Sequence, residues 1–507
     1  MTVIKNGKII DGTGEKAYTA DMLIEDGIIA DIGKIDIEGA EIIDAKGKCV
    51  TPGFIDAHRH HDIAVLYDEN FGEAELRQGI TTAIAGNCGL APAPTTPEIL
   101  DYIEPCLGRA DCNFISVADY ITQLKNNDLP LNVGVLCATG SITAAVKGYG
   151  KGRMTEEQLR KACKWIEEGV QAGALGLSCG IMYDPECYTA EEEFVAMAKA
   201  AAKHGGYLTS HIRGEGNSLA KSIEEIIRIA KKADISLNIS HFKVTGIKNW
   251  GKGLDEAIEL IEKAGNVTVD CYPYIAGSTT IMSLLPPTVK NIHDCEFLKK
   301  EIYREHADWD NMVSSIGFEN IGISSVMCED DRKFCGMNMK EAADFVGIEP
   351  HVLMSELIER NNGKVGVILY SMAQSDVNRV LSLPYCSVIS DSLYGGGDNP
   401  HPRLYGSFPR VIRKCVREDK LFSLETAVRK MTGMPADRLG LRDRGYLKKG
   451  MKADVLIFDE KKISDKATFE DAKQYCVGLD KVIVNGVIAV DKDRLTGTKA
   501  GEFAVKE

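Results

Sequence analysis

A chain of 507 residues, 44% hydrophobic and 26% charged, has the composition of a globular protein with a large core. Its formal net charge of −14, with no clustered basic stretch, excludes a polyanionic partner such as nucleic acid. No window reaches the roughly 18 apolar residues of a membrane-spanning helix, and MTVIKNGKII lacks the apolar run and small-residue cleavage site of a signal peptide. A cytoplasmic protein is expected, its fifteen scattered cysteines being reduced and mostly buried thiols.

From the N-terminus, the chain predicts short strands joined by tight turns. VIKNGKIID carries an Asn6-Gly7 turn signal and MLIEDGIIADIG an Asp26-Gly27 signal. The far end repeats the pattern in KADVLIFD and KVIVNGVIAVD, with Asn485-Gly486 at its turn. Two strand-rich ends, residues 1–53 and 441–507, imply one small β-sandwich domain built from both termini.

Between them, residues 54–440 alternate short apolar runs with amphipathic stretches. LNVGVLCA, GALGLSCG, GGYLTSHI, DISLNISHF, NVTVDCYPY, VGVILYS and YCSVISDS read as strands; TEEQLRKACKWIEEGVQA and SLAKSIEEIIRIAKKA read as helices. Repeated strand-then-helix order means a parallel sheet, and about eight such units favour a closed (β/α)8 TIM-like barrel over an open sheet. Residues 286–345 break the rhythm, starting at Pro286-Pro287, and are expected to be an inserted lid or a long barrel loop.

In a barrel, chemistry belongs at the C-terminal strand ends. TPGFIDAHRHHD places His58 and His60 two apart after an apolar run, on one face, so both imidazoles can enter one metal site. His61 faces the other way, and Arg59 is expected to point away toward an acidic partner. His211 in YLTSHIRGEG and His241 in LNISHFKVTG end two later strands. Four histidines at three strand ends suit Zn²⁺. His401 lies in a loop that could contact substrate, whereas His293, His306 and His351 read as surface groups. Asp391 ends CSVIS and opens a Gly-rich loop; there it can ligate metal, and can accept a proton from water and pass it to a leaving nitrogen.

These features resemble the amidohydrolase superfamily: HxH after PGFID, two single strand-end histidines, a late strand-end Asp and a two-ended β-domain. Finer motifs are similar to the D-aminoacylase family, the N-acyl-D-amino-acid deacylases. They are GITTAIAGNCGLAPAP, GALGLSCGIMY, SHIRGEG, SHFKVTG, DCYPYIAGST and SDSLYGGGDNPHPRLYGSFPR. The resemblance implies a zinc enzyme that hydrolyses the amide of a small substrate carrying a carboxylate. The fourth strand, GALGLSCG, has no Lys to bridge two metals, and the resemblance gives that role to Cys88. Cys88, His211 and His241 would then form a tight site, and His58 with His60 a second, weaker one, with Asp391 as catalytic acid–base. By the same comparison Tyr183, Lys243 and Tyr274 would hold the substrate carboxylate. Lys243 should share the face of His241 if the strand persists, and Arg213 is a further candidate that could instead pair with Glu215.

The chain departs from the family pattern at His61, Cys179, Thr139 and Thr143, changes expected to touch the pocket. Hydrolysis of a cyclic amide, or a metal-free interaction protein, are the alternatives; the missing fourth-strand Lys and the intact ligand set speak against each in turn.

Overall fold

The computed structural model of the chain describes residues 1–286, 289, 292–304, 310–395 and 397–506. Pro287 and His306 lie outside them. Among the described residues, eight parallel strands form the barrel: β1 Phe54–Asp56, β2 Ile80–Ala85, β3 Asn132–Val135, β4 Gly176–Gly180, β5 Tyr207–His211, β6 Leu237–Ile239, β7 Val267–Cys271 and β8 Cys386–Val388. Each pairs with the next, β3 reaching β4 through its continuation Cys137–Ala138. The ring closes just beyond β1 and β8, where Arg59–His60 pairs in parallel with Ser392–Leu393. At that seam the Asp391 N–H donates to the His58 carbonyl at 2.9 Å.

β2, β4 and β5 are buried at every position, the pattern of strands covered on both faces. The helices present apolar stripes to them. Leu219–Ala233 buries Leu219, Ile223, Ile226, Ala230 and Ala233, spaced three and four apart. Glu156–Ala172 starts on a Thr155/Gln158 capping box and stops at Gly173.

The strand predicted at VGVILYS is not a barrel strand. Gly366–Leu369 pairs antiparallel with Gly277–Thr280 and with Ile321–Ser325. Its apolar run is buried in a separate core that includes Ile281, Leu298, Met354, Leu357 and Val367. A short buried strand reads alike in either sheet, so periodicity could not separate the two. This inserted unit follows β7 and precedes the helix Gln374–Ser382, which returns the chain to β8. It therefore stands over the C-terminal mouth of the barrel.

Strands from both chain ends share one continuous nine-stranded sheet among the described residues, with Val455–Phe458 antiparallel to Cys49–Pro52 at the junction. Asp26-Gly27 and Asn485-Gly486 adopt left-handed turn conformations between paired strands, as expected. Asn6-Gly7 does not turn the chain. Thr2–Ile9 runs through it as one strand with a register shift between Ile4 and Gly7. Asn6, at φ 59°, absorbs the bulge, and its N–H donates to Asp21 Oδ1 at 2.9 Å.

Sheet and barrel meet around buried Asp454, which accepts from Asn132 Nδ2 of β3 at 3.0 Å, from the Asn485 N–H at 2.9 Å and from Arg444 Nη1 at 3.0 Å. Arg444 also binds Asp443 and Glu502, tying in the C-terminal tail. Arg444→Met would leave Asp454 without its cation. A loss of about 3–5 kcal/mol is expected, read as a urea transition at lower concentration; an unmoved midpoint would contradict the role of this junction.

Candidate metal centre

Six ligand-type side chains converge at the barrel mouth, each from the end of a strand. His58 and His60 follow β1, Cys88 follows β2, His211 ends β5, His241 follows β6 and Asp391 follows β8. Three overlapping groups form: His58, His60 and Cys88; Cys88, His211 and His241; and His58, His241 and Asp391. Within each, the candidate ligand atoms lie within 4.8 Å of one another and the residues are buried. Cys88 Sγ stands 3.2 Å from His58 Nε2 and 3.5 Å from His241 Nε2, and His211 Nδ1 is 2.9 Å from His241 Nε2. Asp391 Oδ1 is 3.4 Å from Nε2 of both His58 and His60.

The backbone is bent to produce this. Cys88, His241 and Asp391 have φ of 54°, 36° and 52°, the left-handed region that non-glycine residues seldom occupy. Three such residues, all in one cluster, are strain concentrated at a functional site. Neighbouring hydrogen bonds hold the turns: Asp270 accepts from the His241 N–H, and Ser178 Oγ accepts from the Gly89 N–H at 3.0 Å.

The donor set fits a metal ion. Burial holds the imidazole of His58 well below its ordinary pKa and takes that of His211 down to about 3; burial and Lys243 lower His241. These rings are neutral, the form that ligates. Burial and the Asp391 carboxylate push the Cys88 thiol well up, so a thiolate there calls for a cation among the ligands. Burial acts to raise Asp391, but Arg403, His241 and His60 outweigh it and hold the carboxyl well below the usual range. With His241 Nε2 as ligand, its Nδ1 is left to its other neighbours, Glu215 Oε1 at 3.2 Å and Lys243 Nζ at 2.9 Å.

A cleft of about 100 Å³ opens on this cluster, lined in part by Tyr183, Arg213, Lys243, Tyr272, Asp391 and Arg403. Tyr183 Oη lies 3.3 Å from His211 Nδ1. Lys243 Nζ is 2.6 Å from Glu215 Oε1 and 2.9 Å from His241 Nδ1. The strand ended at Ile239, so the left-handed turn at His241, and not strand alternation, brings Lys243 there. Arg213 reaches the cleft but pairs with Glu225 at 2.9 Å, not with Glu215, and donates to the Cys187 carbonyl at 3.0 Å.

Two expected substrate residues are spent elsewhere. Tyr274 is buried behind the cleft wall, its hydroxyl donating to the Pro402 carbonyl at 3.3 Å. His401 donates from Nε2 to the Ala276 carbonyl at 2.9 Å and accepts the Arg403 N–H at Nδ1 at 3.0 Å. The two rings meet edge to face at 5.1 Å, bracing the loop after β8. The departures at His61, Thr139, Thr143 and Cys179 also stay out of the cleft wall. His61 stacks on Phe71, Thr139 bonds Glu186 and the Ser178 carbonyl, and Cys179 donates to Ser210 Oγ at 3.2 Å. A strand has two faces and a layered interior, so nearness to a strand end does not put a side chain in the pocket. Arg59 points away from the cluster as expected, yet is fully buried on Glu75 at 2.7 Å.

Sequence reasoning passed over Arg403. It is 1% exposed, places Nη1 2.7 Å from Asp391 Oδ2 and lies over the Tyr272 ring at 4.9 Å. The available signal was its place in the same Gly-rich loop as Asp391.

An amidohydrolase family model matches residues 41–374 and 386–490. The chain belongs to the amidohydrolase family. It is 32% identical over 512 residues to the D-aminoacylase of Alcaligenes xylosoxydans xylosoxydans, covering 99% of this chain and 97% of that one. The crystal structure of a D-aminoacylase superposes with a TM-score of 0.87 at 30% identity, covering 100% of this chain and 99% of the other. An N-acyl-D-glutamate deacylase from Bordetella bronchiseptica, complexed with zinc and a phosphonate inhibitor, superposes at 0.86 with 29% identity and 99% of each chain covered. This amidohydrolase is thus a metal-dependent hydrolase acting on C–N bonds other than peptide bonds, of the D-aminoacylase branch. No helix among its described residues is long and apolar enough to cross a membrane.

Cys88 belongs to two of the three groups, as His58 and His241 do, and is the one thiol among the six candidates. Cys88→Ala is expected to lower metal content by at least half on elemental analysis, with activity falling in step. Full metal and full turnover in the variant would make Cys88 a packing residue.

Proposed function

We propose that this amidohydrolase is a zinc-dependent deacylase that converts N-acyl-D-amino acids to a D-amino acid and a carboxylic acid. The observation carrying the proposal is the gathering of Cys88, His211, His241, His58, His60 and Asp391 in three overlapping groups at the base of a cleft that also presents Lys243. Cys88, His211 and His241 would hold the tight ion, and His58 and His60 would complete a weaker position. When bound, zinc supplies a Lewis acid that polarises the amide carbonyl and lowers the pKa of water toward about 7.

The chain's own residues do the remaining work. Asp391 presents Oδ1 to the cluster while Oδ2 is held by Arg403, so the carboxylate is fixed in orientation. Oδ1 takes the proton of the attacking water and later returns it to the leaving nitrogen. Lys243 and the Tyr183 hydroxyl stand on the cleft wall where a substrate carboxylate can lie beside the scissile amide. Glu215 offsets part of the Lys243 charge: burial pulls the ammonium down, but Glu215 outweighs this and raises its pKa, so the cation persists at neutral pH. Carbonyl, carboxylate and side chain then define three fixed directions from one carbon, which is the condition for selecting one configuration.

Asp391→Asn keeps shape and removes the proton carrier. A loss of about 10²–10⁴-fold in kcat is expected, with the circular-dichroism spectrum unchanged; a loss under about tenfold would remove Asp391 from this role. The zinc-loaded enzyme, assayed on matched N-acyl-D- and N-acyl-L-amino acids, should cleave the D series. On the preferred substrate Lys243→Met should lower kcat/KM by about tenfold or more, from a charge-assisted contact of about 1.5–3 kcal/mol. The amidated substrate should be affected much less. Preference for the L series, or equal effects on both substrates, would refute the carboxylate clamp.

A further inference from the structure

Beside the metal cleft lies a second chamber of about 300 Å³, larger than the cleft of about 100 Å³ that holds the ligand cluster. The two share Leu90, Cys106, Met182, Tyr183, Thr279 and Ser283 as common wall. Leu90 is two residues past Cys88, and Tyr183 touches His211, so the passage between them starts beside the ligands themselves. Beyond it Tyr102, Tyr149, Met282, Leu285, Val289 and Ile292 form a broad apolar stretch of wall, and Asp101, Asp184 and Lys364 are its charged members. The Tyr102 and Tyr149 rings pack 4.9 Å apart. One side is the helix Pro97–Leu107 after β2 and the other is the inserted unit. Lys364 of the insertion clasps them together, binding Asp101 and Glu104 of that helix, the latter at 2.7 Å.

The charged groups are divided between the compartments. Lys243, Arg213, Arg403 and Glu215 line the cleft and not the chamber. Lys364, the cation at the chamber's edge, is neutralised by its two carboxylates. In the deacylase reading the substrate carboxylate lies on Lys243 in the cleft, and a chamber with Asp101 and Asp184 in its wall and its one cation already bound by two carboxylates gives an anion no better place. Of the substituents on an N-acyl amino acid, the acyl chain leaves directly from the carbonyl carbon that must sit at the cluster, where the passage begins.

We infer that the chamber receives the acyl chain, and that the substrates of this enzyme carry an extended apolar acyl group and not merely an acetyl. This rests on the deacylase reading above. Each buried methylene contributes about 0.8 kcal/mol, close to fourfold in kcat/KM at about 1.4 kcal/mol per tenfold, until the chamber is full.

The test compares N-acyl-D-alanines from acetyl to octanoyl with N-acetyl derivatives of D-amino acids whose side chains lengthen over the same range. The octanoyl-to-acetyl ratio of kcat/KM is expected to be at least about thirtyfold, and Ile292→Trp should cut that ratio at least fivefold. Met282→Trp serves if the first variant does not fold. A flat acyl series, or a gain found only as the D side chain lengthens, overturns the assignment. If no N-acyl-D-amino acid is cleaved at all, it is the deacylase reading that fails. The chamber is then judged by calorimetry with octanoate and acetate. Tighter octanoate binding that Ile292→Trp weakens upholds an acyl-chain site, and equal binding of the two refutes it.

Discussion

Closure of the barrel between its first and last strands is the constraint on which the rest depends. The pairing of Arg59–His60 with Ser392–Leu393, with Asp391 donating to the His58 carbonyl, brings the first and last parts of the site to one seam. Without it His58 and His60 would have no carboxylate, and Asp391 no cluster to face. The seam is fastened below by buried Asp56, which accepts from Ser390 and from Arg59 at 3.4 Å, and Arg59 is in turn held by Glu75. The fastening groups are buried and charged, and such pairs are retained more for specifying one arrangement than for net stability.

On that closed ring, three left-handed residues turn ligands inward at places where a continuing strand would carry them past. Each strained turn is supported from behind. The Cys88 turn rests on Ser178 and on Glu186, a carboxyl that burial pushes up to about 7 and that accepts the Gly180 N–H at 2.8 Å. Thr139 belongs to this supporting layer through its bond to Glu186, Cys179 donates to Ser210 Oγ of β5, and neither forms a wall of the cleft. The inserted unit supplies the other half of the environment. Having its own core, it can vary in size and lining without disturbing the barrel, which is where substrate choice is free to change while the ligand set stays fixed.

The sequence determined much of this protein by itself. The alternation of buried strands with amphipathic helices gave the barrel, because burial on two faces and on one stripe leave different periods. The two hairpins at Asp26-Gly27 and Asn485-Gly486 were legible because a left-handed turn favours those residues. HxH, the single strand-end histidines and Asp391 were legible because the C-terminal strand ends are where a barrel exposes polar groups.

What only the tertiary structure decided concerns partners distant along the chain. Gly366–Leu369 pairs in the insertion, since an apolar run of that length does not say which sheet will bury it. Asn6-Gly7 bulges because the strand Tyr18–Glu25 was there to pair on both sides of it. Arg403 meets Asp391, Tyr274 and His401 brace a loop behind the wall, and Arg213 turns to Glu225, because each has donors that the nearest acceptor claims. Local sequence sets what a residue can bind; which neighbour it does bind follows from the closing of the chain, and no spacing along the sequence encodes it.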